Sequence, residues 1–171
     1  MQAHQDDKSI DQPIKGSNLR VGQWIQFRGV SQPDEGPHPS QKMQDRIFLV
    51  YARDVHYIGF WQPLTYKLID PSGRRYAYIP EYNQIGAENV RSCQIFLLPS
   101  EEAKTVCGPE GLQAINTALQ VQLPQDAHER SRKHYPPIET INRFNFQNEV
   151  AEFLKLQEGS ERVPSGPTIW V

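Results

Sequence analysis

"YIGFWQPLTYKLIDPSGRRYAYIPEYN", residues 57–83, holds seven of the chain's seventeen aromatic residues, with Lys67, Arg74 and Arg75 set among them. Aromatic side chains interleaved with cations make either a stacking surface for nucleic acid or the two faces of a β-hairpin. The tetrapeptide Asp70-Pro71-Ser72-Gly73 decides between them. Asp, Pro and Gly stand at the first, second and fourth positions of a type I turn. A left-handed Gly73 makes this a three-residue hairpin loop closed by a G1 bulge. That register pairs Asp70 with Arg74, Ile69 with Arg75, Leu68 with Tyr76, Lys67 with Ala77 and Tyr66 with Tyr78. Strand side chains alternate, so Leu64, Tyr66, Leu68, Tyr76 and Tyr78 share an apolar face. Thr65, Lys67, Ile69, Arg75, Ala77 and Ile79 share a mixed face expected to be half solvated. Asp70 and Arg74 are expected to close the turn as an exposed pair.

The flanking segments extend the β pattern. In "RVGQWIQFRGV", Ile25 and Phe27 share one face while Trp24, Gln26 and Arg28 share the other. "DRIFLVYARDVHYIGFW", residues 45–61, is apolar on both parities, as in a strand covered on both faces. It exceeds the usual strand length, so a bend is expected at Arg53-Asp54. "SCQIFLLP", residues 92–99, reads as the last strand. Between the first two lies "SQPDEGPHPSQKMQ", residues 31–44, a long proline-rich loop. Five to six short antiparallel strands in this length suit a small closed barrel, which leaves no exposed edges. "LRVGQWIQFRG", residues 19–29, resembles the first strand of SH3-like barrels. The expected fold is α+β, mainly β: an SH3-like or OB-like barrel, then two to three helices, with extended arms at both ends.

Helical signals fill the last third. Ser100 is expected to cap "EEAKTVC", whose Glu101 and Glu102 suit a helix N-terminus. Gly108 ends that piece and Pro109 starts the next. Leu112, Ile115 and Leu119 then recur at helical spacing. "NFQNEVAEFLKLQEG" has Asn145 as its expected cap, Phe146, Val150, Phe153 and Leu154 as its apolar stripe, and Gly159 as its stop. The expected division is an N-terminal arm over 1–18, a barrel over 19–99, a helical extension over 100–158 and a C-terminal arm over 159–171.

Bulk composition excludes several classes. The chain has 171 residues, 37% hydrophobic and 22% charged, enough to bury a core. Net charge is −2, so the molecule as a whole has no electrostatic attraction to nucleic acid or an anionic membrane. Two cysteines, Cys93 and Cys107, are too few for a disulfide scaffold. The N-terminus has no apolar signal core and no segment has the length of a membrane span. A cytoplasmic or virion-associated protein is expected. No dinucleotide, P-loop, zincin, nucleophile-elbow or EF-hand motif is present, and no cofactor or metal is expected.

Three functions follow as expectations. The first is a non-catalytic structural or adaptor subunit of an assembly, with protein partners or further copies of itself. Its contacts are expected at Ile169, Trp170 and Val171, at Ile10 and Ile14, and at Pro37 and His38 in the loop. Trp is a frequent interface anchor, and an apolar tip behind a Pro-Gly spacer suits docking on a neighbour. The second is a nucleic-acid-binding barrel using Lys67, Arg74 and Arg75 with Arg130, Arg132 and Lys133 of "HERSRKH", the chain's one basic cluster. So few cations supply little counterion-release affinity. The third is a small hydrolase-like enzyme using a His56–Asp54 pair. Cys107, at a helix C-terminus, is poorly placed for a nucleophile.

Overall fold

The computed structural model describes residues 12–29, 43–55, 62–121 and 137–169, with side chains of the last helix described as far as Gln157. The strands are β1 (Pro13–Ile14), β2 (Trp24–Gly29), β3 (Ile47–Val55), β4 (Leu64–Ile69), β5 (Arg75–Ile79), β6 (Gln84–Ile85), β7 (Glu88–Asn89), β8 (Cys93–Leu98) and β9 (Glu139–Thr140). The helices are α1 (Ser100–Gln120) and α2 (Arg143–Ile169). The class is α+β, mainly β. The sheet runs β1-β8-β2-β3-β4-β5-β6-β7, with β9 joined to β3.

This sheet differs from the expected barrel in two ways. It has more strands than five or six, because β1, β6, β7 and β9 add two residues each. It also curls into a half-barrel without closing. Strands as short as β6 and β7 offer too little edge to complete a ring of pairing.

The hairpin forms as its turn chemistry predicts. Ile69 faces Arg75, Leu68 faces Tyr76, Lys67 faces Ala77 and Tyr66 faces Tyr78. Gly73 donates its N–H to the Asp70 carbonyl at 2.8 Å, with φ of +84°. Tyr66, Leu68 and Tyr78 are buried in the half-barrel interior with Leu19, Ile25, Phe27, Met43, Phe48, Val50, Ile85, Val90 and Ile95. Phe27 meets both Phe48 and Tyr78 edge to face. Met43, just before β3, is buried in this core.

The mixed face is covered in part. Ile69 is fully buried with Leu112 and Ile115 of α1 and Phe146, Val150 and Phe153 of α2, and Thr65 is buried, whereas Lys67, Arg75 and Ile79 are half-buried and Ala77 is exposed. Trp24, on the outward parity of β2, packs 6.4 Å from Phe146. The hairpin tip itself is pressed on α1. A Cβ at Gly111 would sit 3.1 Å from the Pro71 side chain, and one at Gly73 would sit 3.1 Å from the Ala114 carbonyl.

The irregularity in β3 lies at Tyr51, not at Arg53-Asp54. Val50 faces Leu68 and Ala52 faces Lys67, so Tyr51 is the extra residue of a bulge. Tyr51 and Ala52 consequently both turn toward the helices. The Tyr51 carbonyl then accepts the Ile141 N–H at 2.8 Å and starts the pairing with β9, so β8 is not the last strand.

Two helix caps shift from expectation. Pro99, not Ser100, occupies the cap position of α1, and its carbonyl accepts the Ala103 N–H at 2.9 Å. Asn142, not Asn145, caps α2: its Oδ1 accepts the Asn145 N–H at 3.0 Å, the usual third-residue capping bond. Gly108 breaks α1 as expected, with φ 72° and ψ 173°. Helix α2 continues past Gly159 to Ile169.

Candidate functional site

The open side of the half-barrel is a seam between the β1–β8 end of the sheet and the β5–β6 end. Residues 12–19 cross it as a strap, although 1–18 reads as a free arm in the sequence. β1 pairs Pro13 with Phe96 and Ile14 with Ile95 on the outer edge of β8. A 3-10 turn, Gly16–Asn18, then packs against a second 3-10 turn, Pro80–Tyr82. Leu19 enters the interior core at 3% exposure.

Three contacts make the strap specific. The Tyr66 hydroxyl donates to the Ser17 carbonyl at 3.0 Å. Ile14 packs, partly buried, against the interior cluster. At Gly16 the backbone lies so close to Tyr78 that a Cβ would fall 2.1 Å from its hydroxyl oxygen, a separation only glycine avoids. Burial raises the Tyr78 phenol to about 12, with the neighbouring Tyr66 adding to the shift. Burial raises Tyr66 also, with Arg53 opposing and Glu139 reinforcing. Both phenols therefore stay protonated at neutral pH and can donate hydrogen bonds.

Cavities flank the strap on either side. One, of about 170 Å³, lies among Ile14, Gly16, Phe27, Tyr78, Val90 and Ile95. The other, of about 380 Å³, lies among Gly16, Ser17, Leu64, Tyr78, Pro80 and Asn83. Gly16, Tyr78 and Asn83 belong to both. Concave apolar walls with a few polar groups are the usual form of a binding site.

Of the cations predicted at the hairpin, Lys67 and Arg75 are half-buried and engaged within the fold, while Arg74 is exposed. Lys67 lies 3.6 Å from Asp54. The guanidinium of Arg75 stands 5.4 Å over the Tyr51 ring, and its Nη2 donates to the carbonyls of Ala118 and Val121 at the end of α1. Arg74 stands 5.5 Å over the Tyr76 ring. Its expected ion pair with Asp70 does not form, because Asp70 is buried and bonded elsewhere. Asp70 Oδ1 accepts from the backbone N–H groups of Ser72 and Arg74, each at 3.0 Å, and from the Ser72 hydroxyl at 2.5 Å. Asp70 Oδ2 takes Arg46 at 2.6 Å and the Tyr76 hydroxyl at 3.2 Å. Burial alone would raise this carboxyl, but the bonds from Ser72, Arg74 and Tyr76 outweigh it and hold it below its ordinary value.

Asp54 is buried and also accepts the Val55 N–H at 2.8 Å. His56, its expected dyad partner, lies outside the described residues, as do Ile10, Pro37, His38, Arg130, Arg132, Lys133, Trp170 and Val171. Ile169 ends α2, with its side chain likewise outside the description. Among the described residues no three His, Cys, Asp or Glu side chains converge as a metal site. No described helix is long and apolar enough to cross a membrane. Burial pushes the Cys107 thiol up to about 11, away from thiolate character.

One cation–aromatic pair on the outside of the sheet was not foreseen. Arg28 stands 4.2 Å over the Phe96 ring, on the same parity as Gln26 and Gln94. The alternation in "CQIFLL" carried that signal, since it sets Gln94 and Phe96 on one side and Ile95 on the other. Comparison of the chain with protein-family models, curated proteins and solved structures finds no match.

Proposed function

We propose that the chain is a non-catalytic structural or adaptor subunit of a larger assembly, of the kind found in a viral particle or a bacterial multi-subunit complex. It joins its neighbours through the terminal arms and the 31–44 loop. The observation that carries this reading is the strap. A terminal segment lying as an added strand on the β8 edge is the mode by which extended chains dock on sheets. The apolar tip Ile169-Trp170-Val171 is the second contact element, with Trp170 as its anchor. A cytoplasmic or virion-associated location belongs to the same proposal. Deletion of residues 163–171 tests it: the truncated chain keeps the cooperative unfolding of the intact one and loses assembly. Normal assembly by the truncated chain overturns the role given to the tip.

A second reading, a nucleic-acid-binding half-barrel, draws support from Arg28 over Phe96, an aromatic ring with a cation on the outward side of the sheet. Lys67 and Arg75 contribute less to it, since each already has partners in the fold. Titration with single-stranded and duplex nucleic acid at low salt decides it. Binding that weakens steeply with salt and is lost in Arg28→Glu supports this reading, and a flat titration removes it.

A further inference from the structure

We propose that residues 12–19 are an exchangeable strap, so that in the assembled form each seam is filled by the same residues of a second copy of the chain. The inference rests on the assembly reading above and names the partner of one surface.

The seam selects its occupant. It takes a residue without a Cβ against Tyr78, a carbonyl for the Tyr66 hydroxyl one position later, an aliphatic side chain opposite Ile95, and a leucine in the interior. In order along the chain, Ile14, Gly16, Ser17 and Leu19 meet all four. A second copy carries this pattern by identity.

The strap's hold on the sheet edge is small. β8 is six residues long, and β1 pairs with Phe96 and Ile95 alone. The strap's hold therefore rests on Leu19, Ile14 and the Tyr66–Ser17 bond, contacts that the same residues of a second copy supply equally. A turn stands between strap and barrel. Gly22 and Gln23 are fixed to β3 through hydrogen bonds with both backbone groups of Val50. Ahead of them, Arg20 is held by Gln23 alone, its carbonyl accepting the Gln23 N–H at 3.2 Å and its N–H donating to Gln23 Oε1 at 2.8 Å. The chain can therefore swing at Arg20–Val21 while β2 and its bonds to Val50 stay in place. Exchange remakes with a neighbour each contact broken within one chain, which makes it a low-cost route to association.

Disulfide trapping tests the proposal in the full-length chain with Cys93→Ser and Cys107→Ser. Ile14 and Ile95 are direct partners across β1 and β8, within the span a disulfide bridges. One preparation carries Ile14→Cys, another carries Ile95→Cys, and the two are mixed at high concentration and oxidised. Exchange predicts a covalent heterodimer. A control with Ala77→Cys in place of Ile95→Cys, exposed on β5, gives none. If the single chain bearing both substitutions closes its own disulfide while the mixture yields no heterodimer, exchange is overturned. Should Ile95→Cys not fold, Pro13→Cys with Phe96→Cys reports on the same pairing. Light scattering separates the two levels of the account. Oligomers without the strap cross-link overturn exchange alone, whereas a monomer at every concentration counts also against self-assembly.

Discussion

Arg46 reaches across from the start of β3 to place its Nη2 2.6 Å from Asp70 Oδ2, at the root of the β4–β5 turn. The same nitrogen donates to the Tyr76 hydroxyl at 2.7 Å. One carboxylate thereby ties the turn to the neighbouring strand and satisfies the turn's own N–H groups. The Asp70 side chain is 7% exposed, so removing it leaves donors with little water to replace it. Asp70→Ala should cost about 2–3 kcal/mol in urea unfolding at pH 7.

The same carboxylate sets an acid dependence. Its folded pKa lies below the ordinary value of 3.8. A depressed carboxyl contributes stability that is fully present above the unfolded value and is lost as pH falls through the folded one. The difference in stability between the intact chain and Asp70→Asn should hold constant from pH 7 down to about 5, then shrink below about 4. A difference unchanged down to pH 2 would contradict this assignment.

Gly16 and Tyr78 form a steric pair that double substitution can resolve. Gly16→Ala places a methyl group against the Tyr78 hydroxyl and should cost about 1–3 kcal/mol. Tyr78→Phe removes the clashing oxygen. The double variant Gly16→Ala/Tyr78→Phe should recover part of the loss, with a coupling of about 0.5 kcal/mol or more. Additive costs in the four-variant cycle would mean that the strap does not sit on Tyr78.

Arg75 caps the end of α1 rather than facing solvent. Arg75→Met should cost about 1–2 kcal/mol and speed amide exchange in the last turn of α1, since the carbonyls of Ala118 and Val121 lose their donor. Arg75→Lys should restore little, because one ammonium does not reproduce the planar fork. Unchanged exchange at residues 117–121 in Arg75→Met would refute the capping role.

With its thiol pushed up to about 11, Cys107 should be nearly inert toward a thiol-specific disulfide reagent at pH 8 in the Cys93→Ser chain. Reaction should become fast once urea unfolds the protein. Fast reaction in the folded state would show that the thiol is accessible.

Local chemistry made the hairpin legible. "DPSG" sets the register, and the register assigns Tyr66 and Tyr78 to the interior. Helix spacing likewise identified Leu112, Ile115 and Leu119 on α1 and Phe146, Val150 and Phe153 on α2. What could not be read depends on partners distant in the chain. Arg46 and Asp70 are 24 positions apart, and no local rule joins them. The bulge at Tyr51 reverses the parity of everything after it, so Asp54, which alternates with Phe48 and Val50, lands beside Lys67 on the helix side. The end of α1 takes Arg75 and the Asp54 carboxylate takes Lys67, so two of the three apparent surface cations are structural contacts. At the candidate site, the composition of residues 1–18 suggested a free arm, because Gly16 reveals its purpose only when Tyr78 is brought against it.

The native mass of the chain purified from its source organism decides whether it is an assembly subunit. A subunit is isolated in a stoichiometric assembly, and a chain ending at residue 162 is recovered folded but outside it. Recovery of the intact chain as a monomer, or of the truncated chain in the same assembly, would contradict that role.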